Sequence, residues 1–198
     1  SNMFAVVALG YLEEMEREIF HNEELAEKAK SLKEEVKEAI ETIGKTFTEE
    51  FGMVYAYETD GFGMYNLMDD ANVPSLLAMS YLGYEGDREV SENTRRFLLS
   101  GANPFYFKGC KAAGIGSPHT PSNYIWHIAM AVQGLTSTSK EEKLEILENM
   151  AATTGGKGVM HEGFCCEDDS KFTRAWFSWA NAMYAELFLD YVGYTLEK

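Results

Sequence analysis

Apolar residues recur along this chain in two rhythms, and the rhythms alternate. Over 22–43, Leu25, Ala29, Leu32, Val36, Ala39 and Ile43 fall at steps of three and four, with Glu and Lys filling the other positions. That spacing predicts a helix lying over a core with one face in water. A second amphipathic helix is predicted over 87–100, with Val90, Thr94, Phe97 and Leu98 inward, and a third over 140–153 around Leu144, Leu147 and Met150. Between and beside them, 3–12, 73–82, 124–135 and 175–192 are apolar nearly all round, the pattern of helices buried on every side. Buried and half-wet helices in strict alternation are how an inner ring wrapped by an outer ring is written. The expected fold class is therefore all-α, a partial barrel of alternating inner and outer helices, with a small β-hairpin-like insertion near 53–66. No low-complexity tract or Pro/Gly-rich linker interrupts it, so residues 1–198 read as one structural unit.

The connections are asymmetric. Buried helices pass to the next half-wet one through a few residues, such as 20–22 or 137–139, whereas the returns over 44–72, 101–120 and 155–173 are long. All three long returns should emerge at one end, and long structured loops on a rigid scaffold are where binding and catalytic groups usually sit.

The first return interleaves Tyr55, Tyr57, Phe62 and Tyr65 with Glu58, Asp60, Asp69, Asp70 and Asn72. Aromatic faces beside carboxylates and amides suit a sugar, which has apolar ring faces to stack and a belt of hydroxyls to hydrogen-bond. Helix capping explains one of Asp69, Asp70 and Asn72 equally well, with Pro74 in the first turn that follows. The second return carries His119 where a helix is expected to start, either as a hydrogen-bonded structural residue or as a contact to substrate hydroxyls. The third is the densest: Glu162 stands between His161 and a glycine, among aromatics, ahead of the last buried helix. A carboxylate there can simply support a helix N-terminus, a role that Asp168 and Asp169, nearer Thr173, fill better. Tyr57, Trp126, His161 and Arg174 complete the set of candidate substrate contacts.

Composition narrows the partners. A net charge of −15, with Lys and Arg dispersed, repels phosphate backbones and anionic lipid, so no nucleic acid partner is expected. Charges interrupt every apolar stretch, so no membrane partner is expected either. Cys110, Cys165 and Cys166 make an odd count with an adjacent pair, which fits neither a disulfide framework nor zinc spacing. Free thiols, a reducing and hence cytoplasmic setting, and no metal or other cofactor are the expectations.

Five strings carry a resemblance: Met68-Asp-Asp-Ala-Asn-Val-Pro-Ser-Leu-Leu, Asn93-Thr-Arg-Arg-Phe, Gly114-Ile-Gly-Ser-Pro-His-Thr-Pro, Met160-His-Glu and Lys171-Phe-Thr-Arg-Ala-Trp-Phe-Ser-Trp-Ala-Asn. Together, in order and over nearly the whole chain, they resemble glycoside hydrolase family 125. The resemblance implies an (α/α)6 barrel, exo-acting α-1,6-mannosidase activity without metal, and inversion at the anomeric carbon. Inversion needs two carboxyl groups roughly 6.5–9.5 Å apart, one the general base and the other the general acid.

By this resemblance Glu162, in Met-His-Glu, is the general base. The acid is implied to be an aspartate in an Arg-Pro-Ser-Asp-Asp-like run a short way before a Pro-Ser-Asn-Met-Phe-like segment, and this chain begins Ser1-Asn2-Met3-Phe4. It follows as an expectation that the chain is the C-terminal part of the domain and is nearly inactive alone. Its partners would be an α-mannoside oligosaccharide or glycan, and either the missing N-terminal half of the barrel or a second copy. The chain departs from the family pattern at Gly163, Cys165, Cys166 and Ala175. A non-catalytic carbohydrate-binding or scaffolding toroid is the alternative reading.

Overall fold

The computed structural model describes residues 1–194, which fall into two compact units, 1–67 with 79–96 and 68–78 with 97 onward. Among the described residues there are six α-helices and nine short strands. The chain is thus rich in helix, as the periodicity requires, but of its four small antiparallel sheets the all-α expectation allows only for a hairpin near 53–66. Each is two or three strands wide.

In the first unit, α1 (Asn2–Glu18) and α2 (Glu23–Ile43) form an antiparallel pair. The Asn22 side chain accepts from the Leu25 N–H at 3.2 Å, an N-cap at the predicted boundary. The buried stripe differs from the one read off the sequence. Ala26, Ala29 and Ile40 are buried, whereas Leu25, Leu32 and Ile43 are exposed. Small residues at 26 and 29 let the two helices approach closely, and the helix turns accordingly. In α1, expected to be buried on every side, Val6 is the buried residue, and Phe4, Leu12, Met15 and Ile19 lie exposed.

Strands β1 (Lys45–Thr48) and β2 (Gly52–Tyr55) make one hairpin. A smaller one, β3 (Glu58–Thr59) with β4 (Tyr65–Asn66), lies inside the predicted insertion. The helix expected over 73–82 is absent. Those residues form turns instead, and two of their N–H groups, at Leu76 and Leu77, go to the Asp69 carboxylate rather than to carbonyls one turn back.

Helix α3 (Arg88–Leu98) starts where Asp87 caps the Val90 N–H, and its predicted inward residues Val90, Thr94, Phe97 and Leu98 are all buried. Glu41 of α2 is the polar hub of this unit. It accepts the Tyr84 hydroxyl at 2.7 Å, the Tyr55 hydroxyl at 2.8 Å and Lys45 Nζ at 3.0 Å. Tyr55 OH in turn accepts the Asp87 N–H at 2.9 Å.

The second unit is built on α4 (His127–Leu135), of which seven residues are buried. Here the expectation of a helix buried all round holds for 127–135, but 124–126 are a strand. Helix α5 (Lys140–Ala152), capped by Ser139, turns Ile146, Leu147 and Met150 inward and leaves Leu144 out. Helix α6 (Ser178–Tyr191) begins three residues after the predicted start and closes on α4, where a Cβ at Gly134 would lie 2.7 Å from Leu187. Trp179, Phe188 and Leu189 on α6, with Val192 just beyond it, remain exposed.

Two sheets complete this unit: β5 (Tyr106–Lys108) with β6 (Ala113–Ile115), and β7 (Tyr124–Trp126) with β8 (Gly163–Cys165) and β9 (Asp168–Thr173). Gly116 allows one sheet to meet the other, since a Cβ there would lie 2.1 Å from the Tyr124 carbonyl oxygen. Gly114 carries the same approach, with Ile125 as the neighbour.

The Glu41 hub yields a test with a defined sign. Burial pushes its carboxyl up, but the hydrogen bonds from Tyr84, Lys45 and Tyr55 outweigh burial and hold it below the usual 4.5. A carboxyl depressed by folding contributes stability above its unfolded pKa, and loses it as the pH falls through the folded one. Tyr55→Phe removes one donor to this carboxylate and the acceptor of the Asp87 N–H, so it should cost about 1–3 kcal/mol near neutrality in denaturant unfolding. The cost should shrink in acid. An equal penalty at both pH values would remove the Glu41 contact from the explanation.

Candidate active site

Glu162 owes its place to the end of a three-stranded sheet. Gly163 pairs with Trp126 on one side and Thr173 on the other, so Glu162 and Arg174 follow as the next residues across the β8 and β9 edge. The Glu162 N–H extends that ladder to the Thr173 carbonyl at 3.3 Å. Its side chain is 15% exposed, and Oε1 lies 3.1 Å from Nε of Arg174, whose own side chain is 63% exposed. Arg174 holds a left-handed backbone, φ 46°, which is uncommon for a residue with a long side chain. Its guanidinium lies 5.4 Å from the Phe177 ring centroid.

Trp126 forms the adjoining wall. It is buried, and its indole N–H donates to Thr120 Oγ1 at 2.9 Å. Gly163 gives it room, because a Cβ at 163 would stand 3.0 Å from the indole ring. Next to Thr120 comes His119, exposed in a turn rather than at a helix start, with its backbone N–H on Ser117 Oγ. His119 Nε2 is 3.9 Å from Asp70 Oδ2. Asp70 accepts the backbone N–H of Asn72 at 3.0 Å and its side-chain amide at 3.2 Å, and Ala71 N–H bonds Gly116 O at 3.0 Å. Asp70, Asn72 and His119 therefore make one cluster. Glu162 and Arg174 make another, and the Thr120–Trp126–Gly163 contact connects the two.

Two candidates lie in the interior. Asp69 is fully buried, takes the Leu76 and Leu77 N–H groups at 2.9 Å each, and receives nothing from solvent. Burial pushes it up to about 7 against the pull of those two bonds. No helix follows for Asp69, Asp70 or Asn72 to cap, and Asp69 instead holds two N–H groups of the turns in its place. His161 is also fully buried, with Nδ1 2.9 Å from Ala175 O and Nε2 2.9 Å from Thr154 O. Its ring stacks on Phe172 at 3.9 Å. Tyr57 belongs to the first unit, where its N–H bonds Asn66 O. Asp168 and Asp169 pair with Lys171 and Lys111.

The residue that sequence reasoning passed over is His127. It is buried, its Nδ1 accepts the His161 N–H at 3.0 Å, and its Nε2 faces Thr153 Oγ1 at 3.1 Å. Because the Thr153 hydroxyl donates to Asn149 O, Nε2 of His127 must carry the proton and Nδ1 the lone pair. The signal was a single histidine inside the apolar run 124–135, with nothing in the one-dimensional pattern to name its partners.

Cys110, Cys165 and Cys166 are free thiols, with Cys110 Sγ 3.3 Å from Glu167 O. Among the described residues no three His, Cys, Asp or Glu side chains are arranged to hold a metal ion, and no helix is long and apolar enough to cross a membrane.

The structure thus sets a carboxylate and a guanidinium at a sheet end, on a scaffold rich in helix. The family described as metal-independent α-mannosidase, GH125, matches residues 1–189, and the chain belongs to it. An α-mannosidase of Streptococcus pneumoniae, in a non-productive complex with α-1,6-mannobiose, is 46% identical with a TM-score of 0.93 over 96% of this chain and 46% of that one. The meiotically up-regulated gene 157 protein of Schizosaccharomyces pombe is 42% identical over 96% of this chain and 38% of its own length. A bacterial glucoamylase complexed with acarbose, 14% identical, matches with a TM-score of 0.70 over 98% of this chain and 34% of that one, a likeness of fold alone. The chain spans less than half the length of each of these relatives.

His127 gives the site a pH signature. Burial lowers it from 6.5 to about 4. Between those values the unfolded chain binds a proton that the folded chain refuses, so stability present above the unfolded pKa is lost on acidification through this window. Asp69 acts the other way over nearly the same range, so the effect is read as a difference between wild type and His127→Gln. From about pH 7 to about pH 5 the wild type should lose on the order of 2 kcal/mol relative to the variant. Parallel urea-midpoint profiles for the two proteins would show that His127 is not held neutral.

Proposed function

We propose that this chain supplies the general base of an inverting exo-α-1,6-mannosidase. The observation that carries the reading is the Glu162 carboxylate, partly open to solvent and held through one oxygen by Arg174, in a chain belonging to this family. The α-1,6-mannobiose bound by the S. pneumoniae relative supports the linkage.

In this mechanism Glu162 takes a proton from water as the water oxygen bonds the anomeric carbon opposite the leaving group. The glycosidic C–O bond breaks, and an acid from beyond residues 1–198 protonates the departing oxygen. Asp70, Asn72, His119, Arg174 and Trp126 serve the sugar, with the polar groups on its hydroxyls and the indole on its ring. The chain alone is inactive in this reading.

The helix order and the match with the S. pneumoniae structure support a partial (α/α)6 barrel and a single domain. The exposed apolar residues of α1 and α6 suit a cover of further helices or, failing that, self-association. The three thiols accord with a reducing, cytoplasmic setting.

In the complete parent protein, Glu162→Gln should leave α-1,6-mannobiose binding intact and lower kcat by at least about 10²-fold, because an amide cannot accept the water's proton. Azide needs no base. It should restore turnover and give a glycosyl azide of inverted configuration. Near-normal hydrolysis by the variant would end the assignment.

A further inference from the structure

The interior carries a feature that the proposed mechanism does not use. One imidazole joins the two segments that bear the Glu162–Arg174 pair. The N–H of His161, immediately before Glu162, is fixed on His127 Nδ1 at 3.0 Å. Its ring Nδ1 is 2.9 Å from the carbonyl of Ala175, immediately after Arg174. The far nitrogen, Nε2, is 2.9 Å from Thr154 O, just beyond α5, and the ring lies flat on Phe172 of β9. Both neighbours are carbonyls, so the ring nitrogen that carries the hydrogen donates to the carbonyl it faces, Ala175 O from Nδ1 or Thr154 O from Nε2. The other titratable ring packed against it is His127, its centroid 5.8 Å away, whose Nδ1 lone pair is already taken by the His161 N–H.

From this geometry we infer that His161 is a positioning residue: through its Nδ1–H bond to Ala175 it holds Arg174 in its left-handed backbone and so aims the Glu162 carboxylate. The bond to Ala175 sets the distance across the ion pair from the arginine side, and His127 sets it from the glutamate side. Nε2 on Thr154 only anchors the ring. Arg174 has φ 46°, a conformation that a long side chain does not keep without restraint; the Thr173 carbonyl, bonded to the Glu162 N–H, restrains the chain just before it, and the Ala175 carbonyl restrains it just after. An imidazole fully buried with both nitrogens occupied has no group left for a sugar, so its influence on the reaction passes through the pair it positions. This inference rests on Glu162 being the base.

The side-chain nitrogen of asparagine falls close to Nδ1 of histidine, and that of glutamine falls close to Nε2. In the complete parent protein, His161→Asn should therefore keep the Ala175 bond and most of kcat. His161→Gln keeps the Thr154 bond instead, and should lower kcat by about 10²-fold with little change in KM for α-1,6-mannobiose, the cost of misplacing a catalytic group by about an ångström. Melting temperatures of both variants are measured alongside, and a purely structural role would make kcat follow them. Equal kcat losses in the two variants would overturn the inference.

If either variant does not fold, nitrogen-15 spectra of the wild-type protein labelled at the histidine rings decide the matter. A protonated Nδ1 at His161 is expected, and an unprotonated one overturns the inference. Glu162→Gln, assayed in parallel, separates the two readings. If that variant stays active, the base assignment has failed. If it is inactive while the two His161 variants are alike, only the positioning role has failed.

Discussion

A fully buried histidine pair takes its hydrogen-bond partners from the protein itself, and that demand organises the second unit. His127 and His161 draw on Thr153, Thr154, Ala175 and each other. Those partners lie on α4, at the end of α5, and on both sides of the β8–β9 hairpin. Leaving a buried polar atom unpaired costs about 1–3 kcal/mol, so the segments cannot drift apart separately without paying it. No buried side-chain nitrogen or oxygen among the described residues lacks a partner. Phe164 and Phe172 fill the remaining space by stacking on the two imidazoles at 4.7 and 3.9 Å.

What this arrangement achieves at the surface is a carboxylate with two unlike oxygens. One is tied to the Arg174 guanidinium and the other is left for whatever enters. Glycine is required in the neighbouring position because Trp126 occupies the space a side chain would need. Bulk at the wall and its absence at 163 are two halves of one packing solution. Around the carboxylate lie the Arg174 guanidinium, the buried Trp126 ring next to Gly163 and, through Thr120 and His119, the Asp70–Asn72 cluster. The pyranose proposed as substrate, apolar on its faces and polar around its rim, suits such a mixture.

The first unit solves a similar problem with an anion. Glu41, partly buried, is matched by two tyrosine hydroxyls and a lysine, and burial with the neighbouring carboxylate pushes both tyrosines up from their usual values. The bonds fix α2 against β2 and the start of α3. The ion pairs between α1 and α2, the half-buried Lys33 with Glu13 and the more exposed Arg17 with Glu27, contribute less individually, because water still reaches each charge.

Local chemistry alone was enough to place α2, α3 and α5. Asn22, Asp87 and Ser139 cap their own helices within three residues, and an amphipathic period needs only a core somewhere on one side. The third return was likewise legible as a dense polar stretch, since His161, Glu162 and Arg174 crowd a few residues. Contacts distant in sequence were not legible. The 73–82 segment has helical apolarity, yet Asp69 claims its N–H groups, and 124–126 became a strand because 163–165 lay beside it. Asp69 and His161 look the same in one dimension as Asp70 and Glu162. Only folding decided that Asp69 and His161 would be fully enclosed, Asp70 nearly so and Glu162 least of the four, because burial depends on the neighbours that tertiary packing brings and not on the residue itself.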